Sequence, residues 1–461
     1  MCIRDSSMRA SLDRLQKLRI GKAELVLRTG DRFFRKDIIL GVNGTATVLM
    51  NPAGGTQPGT LAARKLDYAP ILHLPAVISR QDGSARANKV NLLCVNKEFW
   101  NFAPATTVPP EIPPDGILLN NALARQLRAA LGDELVVRAA KPFVFSPESP
   151  LAPEERTTVG KRVRVTGIVG DESFGRFALD SRRGEPLNAF VAMEAWRPVL
   201  GTGEIANTLL VRESKTELVS PVYLVTSTGM VRVTPPSVLE VARRALSWSW
   251  EDIGVRVRTQ TSPPYVEFRS PRVFLEPGIA RAIWDRIGRD GATGEAFAGV
   301  SQYRAVGLLT YFVNEIRHGE RFTPYSMITA AGPPIVPHDL KDDEVLISDW
   351  LAEDLGAKVG DIITIRYYVI GRLRQLEEQS ATFKVRAILP ITNSVFEPHL
   401  MPDFPGMATA DSCRDWDTGL PIQIDRIRPK DEQYWRNHRG TPKALITLAA
   451  GQKIWSNRIG D

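Results

Sequence analysis

The sequence predicts an α+β fold of mixed sheets with packed helices, arranged as two duplicated halves that each contain a strand-helix-turn-strand unit. Three observations support it. Asp115 to Arg138 (DGILLNNALARQLRAALGDELVVR) lies on Asp343 to Arg366 (DEVLISDWLAEDLGAKVGDIITIR) at a constant offset of 228 without a gap, and nine of the 24 positions are identical. Each copy is followed by an alternating strand, Arg162 to Val169 (RVRVTGIV) and Thr382 to Leu389 (TFKVRAIL), with one face to bury. Strand-like and helix-like segments interleave through the second half and, less clearly, through the first.

Within each copy the residues dictate the elements. Ile117 to Leu119 and Val345 to Ile347 are apolar runs suited to a buried strand. Asn120 and Ser348 follow, residues whose side-chain oxygens accept orphan backbone N–H groups at a helix start. Leu123, Ala124, Leu127 and Leu131, with Leu351, Ala352 and Leu355 in the second copy, recur at helical spacing and give one apolar stripe. Gly132-Asp133 and Gly360-Asp361 supply a tight turn into a β-branched strand.

In chain order, residues 1–10 read as a disordered or non-native leader with no structural weight. A first α/β subdomain at 11–110 opens with a polar helix from Ser11 to Leu18, followed by strands at Ala23 to Leu27, Ala46 to Met50, Leu72 to Ser79 and Val90 to Val95. Phe33-Phe34 between basic residues reads as a core anchor rather than a platform for stacking bases. Asn101 to Pro114, with five prolines, breaks regular structure and marks a boundary. The first repeat subdomain covers 111–221, with a Pro/Glu/Ser-rich insertion at Lys141 to Thr158 and a helix from Glu194 to Leu200. A second α/β subdomain at 222–335 opens with a hairpin, Tyr223 to Val225 and Val231 to Val233. Ser237 and Glu240 then form a capping-box pattern for a helix whose apolar face is Val238, Val241, Ala242, Ala245 and Trp248, with Arg243 and Arg244 opposite. Further strands are expected at Val255 to Arg258, Tyr265 to Phe268, Val273 to Leu275, Leu308 to Ile316 and Ser326 to Ala330, and a helix at Gly278 to Ile287. The second repeat subdomain is 336–461.

At 461 residues, the chain exceeds one ordinary hydrophobic core. Its 43% hydrophobic and 24% charged residues exclude a disordered class. Lys and Arg exceed Asp and Glu by 59 against 52, a net +7 without long runs of one sign, which argues against nucleic acid and is compatible with a nearby anionic membrane surface. No apolar run is long enough to span a bilayer, and MCIRDSSMRA is too polar for a signal peptide. Cys2, Cys94 and Cys413 show no zinc spacing; Cys94 and Cys413 read as two buried thiols, with a disulfide between them as the alternative.

The search for chemistry gives no catalytic, cofactor-binding or metal-binding residue. There is no GxxxxGK[ST] loop, no GxGxxG after a strand, no HExxH and no GxSxG. His73, His318, His338, His399 and His438 are scattered. The densest polar region holds Asp411, Asp415, Asp417, Asp425, Asp431, Glu432 and His438. Its Asp411 to Asp425 carboxylates are the one candidate for a hydrolase, whose sign is two of them converging in a cleft with a raised pKa. Asp415-Trp416-Asp417 reads instead as a turn anchored by Trp416.

Val90 to Phe99 (VNLLCVNKEF), Ile117 to Leu127 (ILLNNALARQL), Gly132-Asp133 and Val163 to Val169 (VRVTGIV) together resemble the MacB-like periplasmic core domain of FtsX-like ABC-transporter permeases. Asn96 stands where that family usually carries an acidic residue. Leu309 to Asn314, Pro324-Tyr325-Ser326, Leu400 to Gly406, Asp415-Trp416-Asp417, Tyr434-Trp435 and Arg439 to Ala444 resemble a large bacterial subgroup of these permeases. The resemblance covers roughly residues 20–461 and rests on the order of the motifs. It implies a non-enzymatic extracytoplasmic fragment of a longer permease on the periplasmic side of the inner membrane. There it would couple ATP-driven motion of membrane helices to export or transfer of a lipid, lipoprotein or peptide. Its partners would be an ATP-binding subunit or domain and a second permease, in a homodimer or a pair. A stand-alone extracytoplasmic binding module is the alternative.

Overall fold

The computed structural model describes residues 13–30, 32–39, 45–50, 62–105, 111–142, 158–180, 184–214, 223–226, 229–232, 237–261, 264–287, 305–370, 376–402, 406–408, 410–416 and 420–456. Most of the expected insertion at Lys141 to Thr158 lies outside them, as does Asp417. The chain divides into two compact units with the boundary between Ile253 and Gly254. Among the described residues no helix is long and apolar enough to cross a membrane.

The first unit contains a helix α1 (13–20) and strands β1 (Leu25–Arg28), β2 (Phe34–Arg35), β3 (Thr45–Met50), β4 (Ala62–Arg80) and β5 (Arg86–Val95). Helix α2 (Lys97–Trp100), β6 (Gly116–Asn120), α3 (Asn121–Leu127), β7 (Glu134–Ala140), β8 (Thr158–Val169), β9 (Asn188–Ala192) and α4 (Met193–Leu200) follow, then β10 (Ile205–Ala206), β11 (Thr208–Glu213), β12 (Tyr223–Thr226), β13 (Gly229–Arg232) and α5 (Val238–Ala245). The second unit contains β14 (Arg256–Thr261), β15 (Pro264–Arg269), α6 (Pro277–Ile287), β16 (Leu308–His318), β17 (Arg321–Ala331) and β18 (Glu344–Ser348). It continues with α7 (Asp349–Leu355), β19 (Ile362–Ile370), β20 (Leu376–Leu389), α8 (Pro429–His438), β21 (Ala444–Thr447) and α9 (Leu448–Trp455).

Each unit closes the same six-stranded ring. In the first the path is β4-β5-β9-β6-β8-β7, and β7 returns to β4. In the second it is β16-β17-β21-β18-β20-β19, closed by β19 on β16. The orientations also agree: antiparallel, parallel, antiparallel, parallel, antiparallel, then antiparallel at the closure. Both interiors are apolar, with Leu92, Ile117, Leu119, Val137 and Val165 in one and Ile328, Val345, Ile347, Ile365 and Val385 in the other.

The repeated stretch has the same backbone bonds in both copies. Asn120 Oδ1 accepts from the Leu123 N–H at 3.0 Å, and Ser348 Oγ accepts from the Leu351 N–H at 3.2 Å. The helices end on left-handed residues, Arg128 and Gly356. Gly132 and Gly360 take φ of +90° and +96°, which glycine adopts without steric cost, and their N–H groups donate to Val165 and Val385, both at 2.8 Å. The Asp133 and Asp361 carboxylates accept from the Ala130 and Lys358 N–H groups at 2.9 and 2.8 Å.

Several segments depart from expectation. Helix α5 starts with the expected capping box, and Val241 and Ala242 are buried, but it ends at Ala245, and Trp248 is 45% exposed rather than part of its apolar face. Leu246 leaves the helix in extended conformation to bridge Ile39, which turns the chain before Trp248 reaches the core. The sequence places this helix at the opening of the second half. It packs in the first unit, among Phe34, Ile38, Ile39, Ala46 and Leu66. Val273 to Leu275 forms no strand; it is a turn that buries Phe274 against Tyr311.

Candidate functional site

The site lies in the second unit, on the outer face of the β16–β17 hairpin. Alternation along β16 turns Tyr311 and Val313 into the ring, so Phe312 points to the other side, opposite Met327 of β17. Helix α8 and the single turn Cys413–Asp415 supply Tyr434, Trp435 and Trp416 to the same cavity. It has a volume of 30 Å³, and Tyr325, Ser326, Met407, Asp431, Thr441 and Lys443 also line it. Trp416 meets Trp435 edge to face at 4.9 Å and Phe312 at 6.1 Å, and so anchors the turn as its sequence suggests.

Most polar groups here are committed. Trp435 Nε1 donates to the Ala410 carbonyl at 3.0 Å, and Tyr434 Oη to the Thr441 carbonyl at 3.1 Å. Tyr325 Oη accepts from the Gln423 N–H at 2.7 Å. Two donors are left over. Trp416 Nε1 is buried and has no acceptor among the described residues. Lys443, only 3% exposed, places Nζ 4.3 Å from the Trp350 ring centre and 4.5 Å from that of Tyr434, with no hydrogen bond or ion pair to a described residue. Burial lowers its pKa from the ordinary 10.5 to about 7, although Asp431 pulls the other way.

Beside the cavity is a closed ionic network. Arg428 bonds Asp431 from Nε at 2.7 Å and reaches Asp354 of α7 from its guanidinium at 2.6 Å, while Lys430 also contacts Asp354. Asp431 therefore has its own cation and does not neutralise Lys443 at close range. Glu315, with a side chain 2% exposed, accepts from Arg317 at 2.6 Å and from Arg426. Burial opposes its ionisation, but the two arginines outweigh that and hold its carboxyl below the usual range. Arg317, Arg426 and Arg428 all lie over the Phe322 ring.

Of the Asp411 to Asp425 carboxylates singled out in the sequence, Asp417 lies outside the described residues. Asp411, Asp415 and Asp425 are exposed, and Asp411 pairs with Arg439 at 2.9 Å. Glu432 is held below its usual pKa against the effect of burial, because it accepts from Ser412 and from the Cys413 N–H. Cys94 and Cys413 are free and buried, with no disulfide between them. Among the described residues no group of three or more His, Cys, Asp or Glu is placed to hold a metal ion. Sequence reasoning missed Lys443; the available signal was a lysine one residue before the apolar strand Ala444–Thr447, in a region rich in tryptophan.

No family model matches the chain, and no curated protein matches it. Among solved structures, the chain is similar to the periplasmic region of MacB from Actinobacillus actinomycetemcomitans, at 12% identity and a TM-score of 0.21, over 33% of this chain and 60% of that one. It is also similar to the extracellular domain of the noncanonic ABC-type transporter YknZ from Gram-positive bacteria, at 11% identity and a TM-score of 0.21, over 42% of this chain and 85% of that one.

Proposed function

We propose that the chain is the extracytoplasmic domain of an FtsX/MacB-type ABC-transporter permease, passing ATP-driven movement of membrane helices to a substrate that is exported or transferred. The observation that carries this reading is the duplicated ring, whose repeated stretch contains part of the motif order that resembles those permeases. A ring closed by backbone hydrogen bonds has no free sheet edge, and its packed interior is nearly incompressible, so it moves as a body when pushed. On this reading the partners are an ATP-binding subunit or domain and a second permease, and the substrate is a lipid, lipoprotein or peptide. The aromatic cavity with Lys443 favours a second reading, a stand-alone extracytoplasmic binding module.

Thiol labelling in cells producing the full reading frame tests the location. Gln81→Cys, at an exposed turn position, is introduced with Cys2→Ser, leaving the buried Cys94 and Cys413 in place. A membrane-impermeant maleimide should label it in intact spheroplasts. Labelling only after lysis would place the domain in the cytoplasm and end both extracytoplasmic readings.

A further inference from the structure

We propose that the cavity bounded by Phe312, Tyr325, Trp416, Trp435 and Lys443 is a binding site for one carboxylate group, which accepts hydrogen bonds from Lys443 Nζ and Trp416 Nε1. This inference concerns the cavity alone and holds whether or not the chain belongs to a transporter.

Two donors carry the argument: the Trp416 indole N–H, buried without an acceptor among the described residues, and Lys443 Nζ, whose described partners are the Trp350 and Tyr434 ring faces. A buried donor without an acceptor costs about 1–3 kcal/mol, and of the buried polar atoms left so among the described residues, Trp416 Nε1 belongs to a residue that shares a cavity with a buried lysine. Here they line the same small cavity, while Trp435, Tyr434 and Tyr325 beside them are satisfied. A water has lone pairs for both donors but no charge to set against an ammonium. Asp431, the main charge that favours the ammonium, is held by Arg428. An anion supplies both needs.

The pair of donors selects the kind of anion. A single water needs roughly 10–15 Å³ of such space. The space of about 30 Å³ therefore holds more than one water. A carboxylate has two oxygens for two donors, and aromatic edges suit the carbon beside it. Binding should also draw a proton onto Lys443, whose pKa is lowered by burial, so affinity should rise as pH falls.

The experiment is titration of the full chain with sodium acetate at constant ionic strength, followed by tryptophan fluorescence and calorimetry, with chloride and phosphate as controls. Saturable acetate binding is expected that chloride does not reproduce, and that tightens from about pH 8.5 to about pH 6.5. Lys443→Met should weaken it at least about tenfold, and Trp416→Phe, which keeps a ring but removes the N–H, should weaken it less while retaining the fold. A short peptide with a free C-terminus, compared with its amidated form, distinguishes a chain end from a free organic acid as the source of the carboxylate; preference for either supports the site. Acetate behaving as chloride does, or binding unchanged in folded Trp416→Phe and Lys443→Met, would show that the cavity holds only water and overturn the proposal.

Discussion

Replacing Lys443 with methionine should remove a pH dependence of stability that the wild-type protein carries. In the folded protein burial lowers the Lys443 pKa from 10.5 to about 7. Between those values the unfolded chain holds the proton and the folded chain has released it, so raising the pH withdraws an advantage from the unfolded state and stability rises. Between about pH 7 and about pH 9 the rise amounts to about 2 kcal/mol from this residue. The Trp350 and Tyr434 ring faces, at 4.3 and 4.5 Å, favour the ammonium and bring the rise toward about 1 kcal/mol. The buried thiols act in the opposite sense. Burial pushes Cys94 up to about 12 and Cys413 higher still, so each contributes a loss of stability as the pH passes the unfolded thiol value near about 8.5. Both thiols are present in wild type and in Lys443→Met, so the difference between the two proteins isolates the lysine. The assay is urea denaturation of both, in buffers free of carboxylates, across that range. Lys443→Met should be more stable than wild type near pH 7, with the gap closing as pH rises. Parallel pH profiles would refute the reasoning, because they would mean that Lys443 keeps its proton and has a solvated partner.

Further outcomes follow from the duplicated units and from α5. Gly132→Ala and Gly360→Ala add a Cβ that meets no heavy atom within 4 Å, so each should cost only the left-handed backbone term, about 1–2 kcal/mol in thermal or chemical denaturation; a much larger loss at one turn would separate the two copies. Ser348→Ala should cost about 1 kcal/mol as a lost cap. Asn120→Ala should cost more, because Asn120 Nδ2 also donates to the Gly175 and Pro186 carbonyls at 2.8 and 2.7 Å; equal losses in the two variants would contradict this. Val241→Asp, burying a charge at a position 1% exposed, should unfold the first unit. Arg243→Ala with Arg244→Ala, on the exposed face of the same helix, should stay within about 0.5 kcal/mol of wild type, and unfolding by that pair would mean that the helix faces the other way.

What the sequence made legible were features set by neighbours along the chain. The N-caps at Asn120 and Ser348, the turns at Gly132-Asp133 and Gly360-Asp361, and the capping box at Ser237 each depend on residues within three or four positions, and all are present. Ring closure was not legible, because it depends on pairing Ala76 with Ala139 and Ile316 with Ile365, whose register no local pattern specifies. Spacing puts Trp248 on a helix face, but Leu246 leaves the helix to bridge Ile39. The acidic stretch misled for a related reason. Asp354 and Glu315, far away in sequence, receive Arg428 and Arg426, so of the clustered carboxylates Asp431 is buried, while Asp411, Asp415 and Asp425 stay exposed. The cavity draws on Phe312, Trp416, Trp435 and Lys443, more than one hundred residues from end to end, and could be found only once the chain was folded.

Duplication also shows what is particular to the second unit. Leu118 pairs with Phe190 in the first ring and Leu346 with Leu445 in the second, which makes Asn188 and Lys443 equivalent positions, two residues before each partner. Both are buried. Asn188 Nδ2 donates to the Gly175 and Phe177 carbonyls at 3.2 and 2.8 Å, and its Oδ1 accepts from Asn91 at 2.9 Å, so it clamps residues 175–177 onto the ring with its bonds made. Lys443 occupies the same place in an identical topology, yet it lines a cavity and its Nζ lies over the Trp350 and Tyr434 rings without a hydrogen bond to a described residue. An apolar residue there would avoid the cost of a buried ammonium, and an asparagine would have repeated the clamp. A lysine does neither for stability. Its chemistry is explained by an acceptor that arrives from outside the chain.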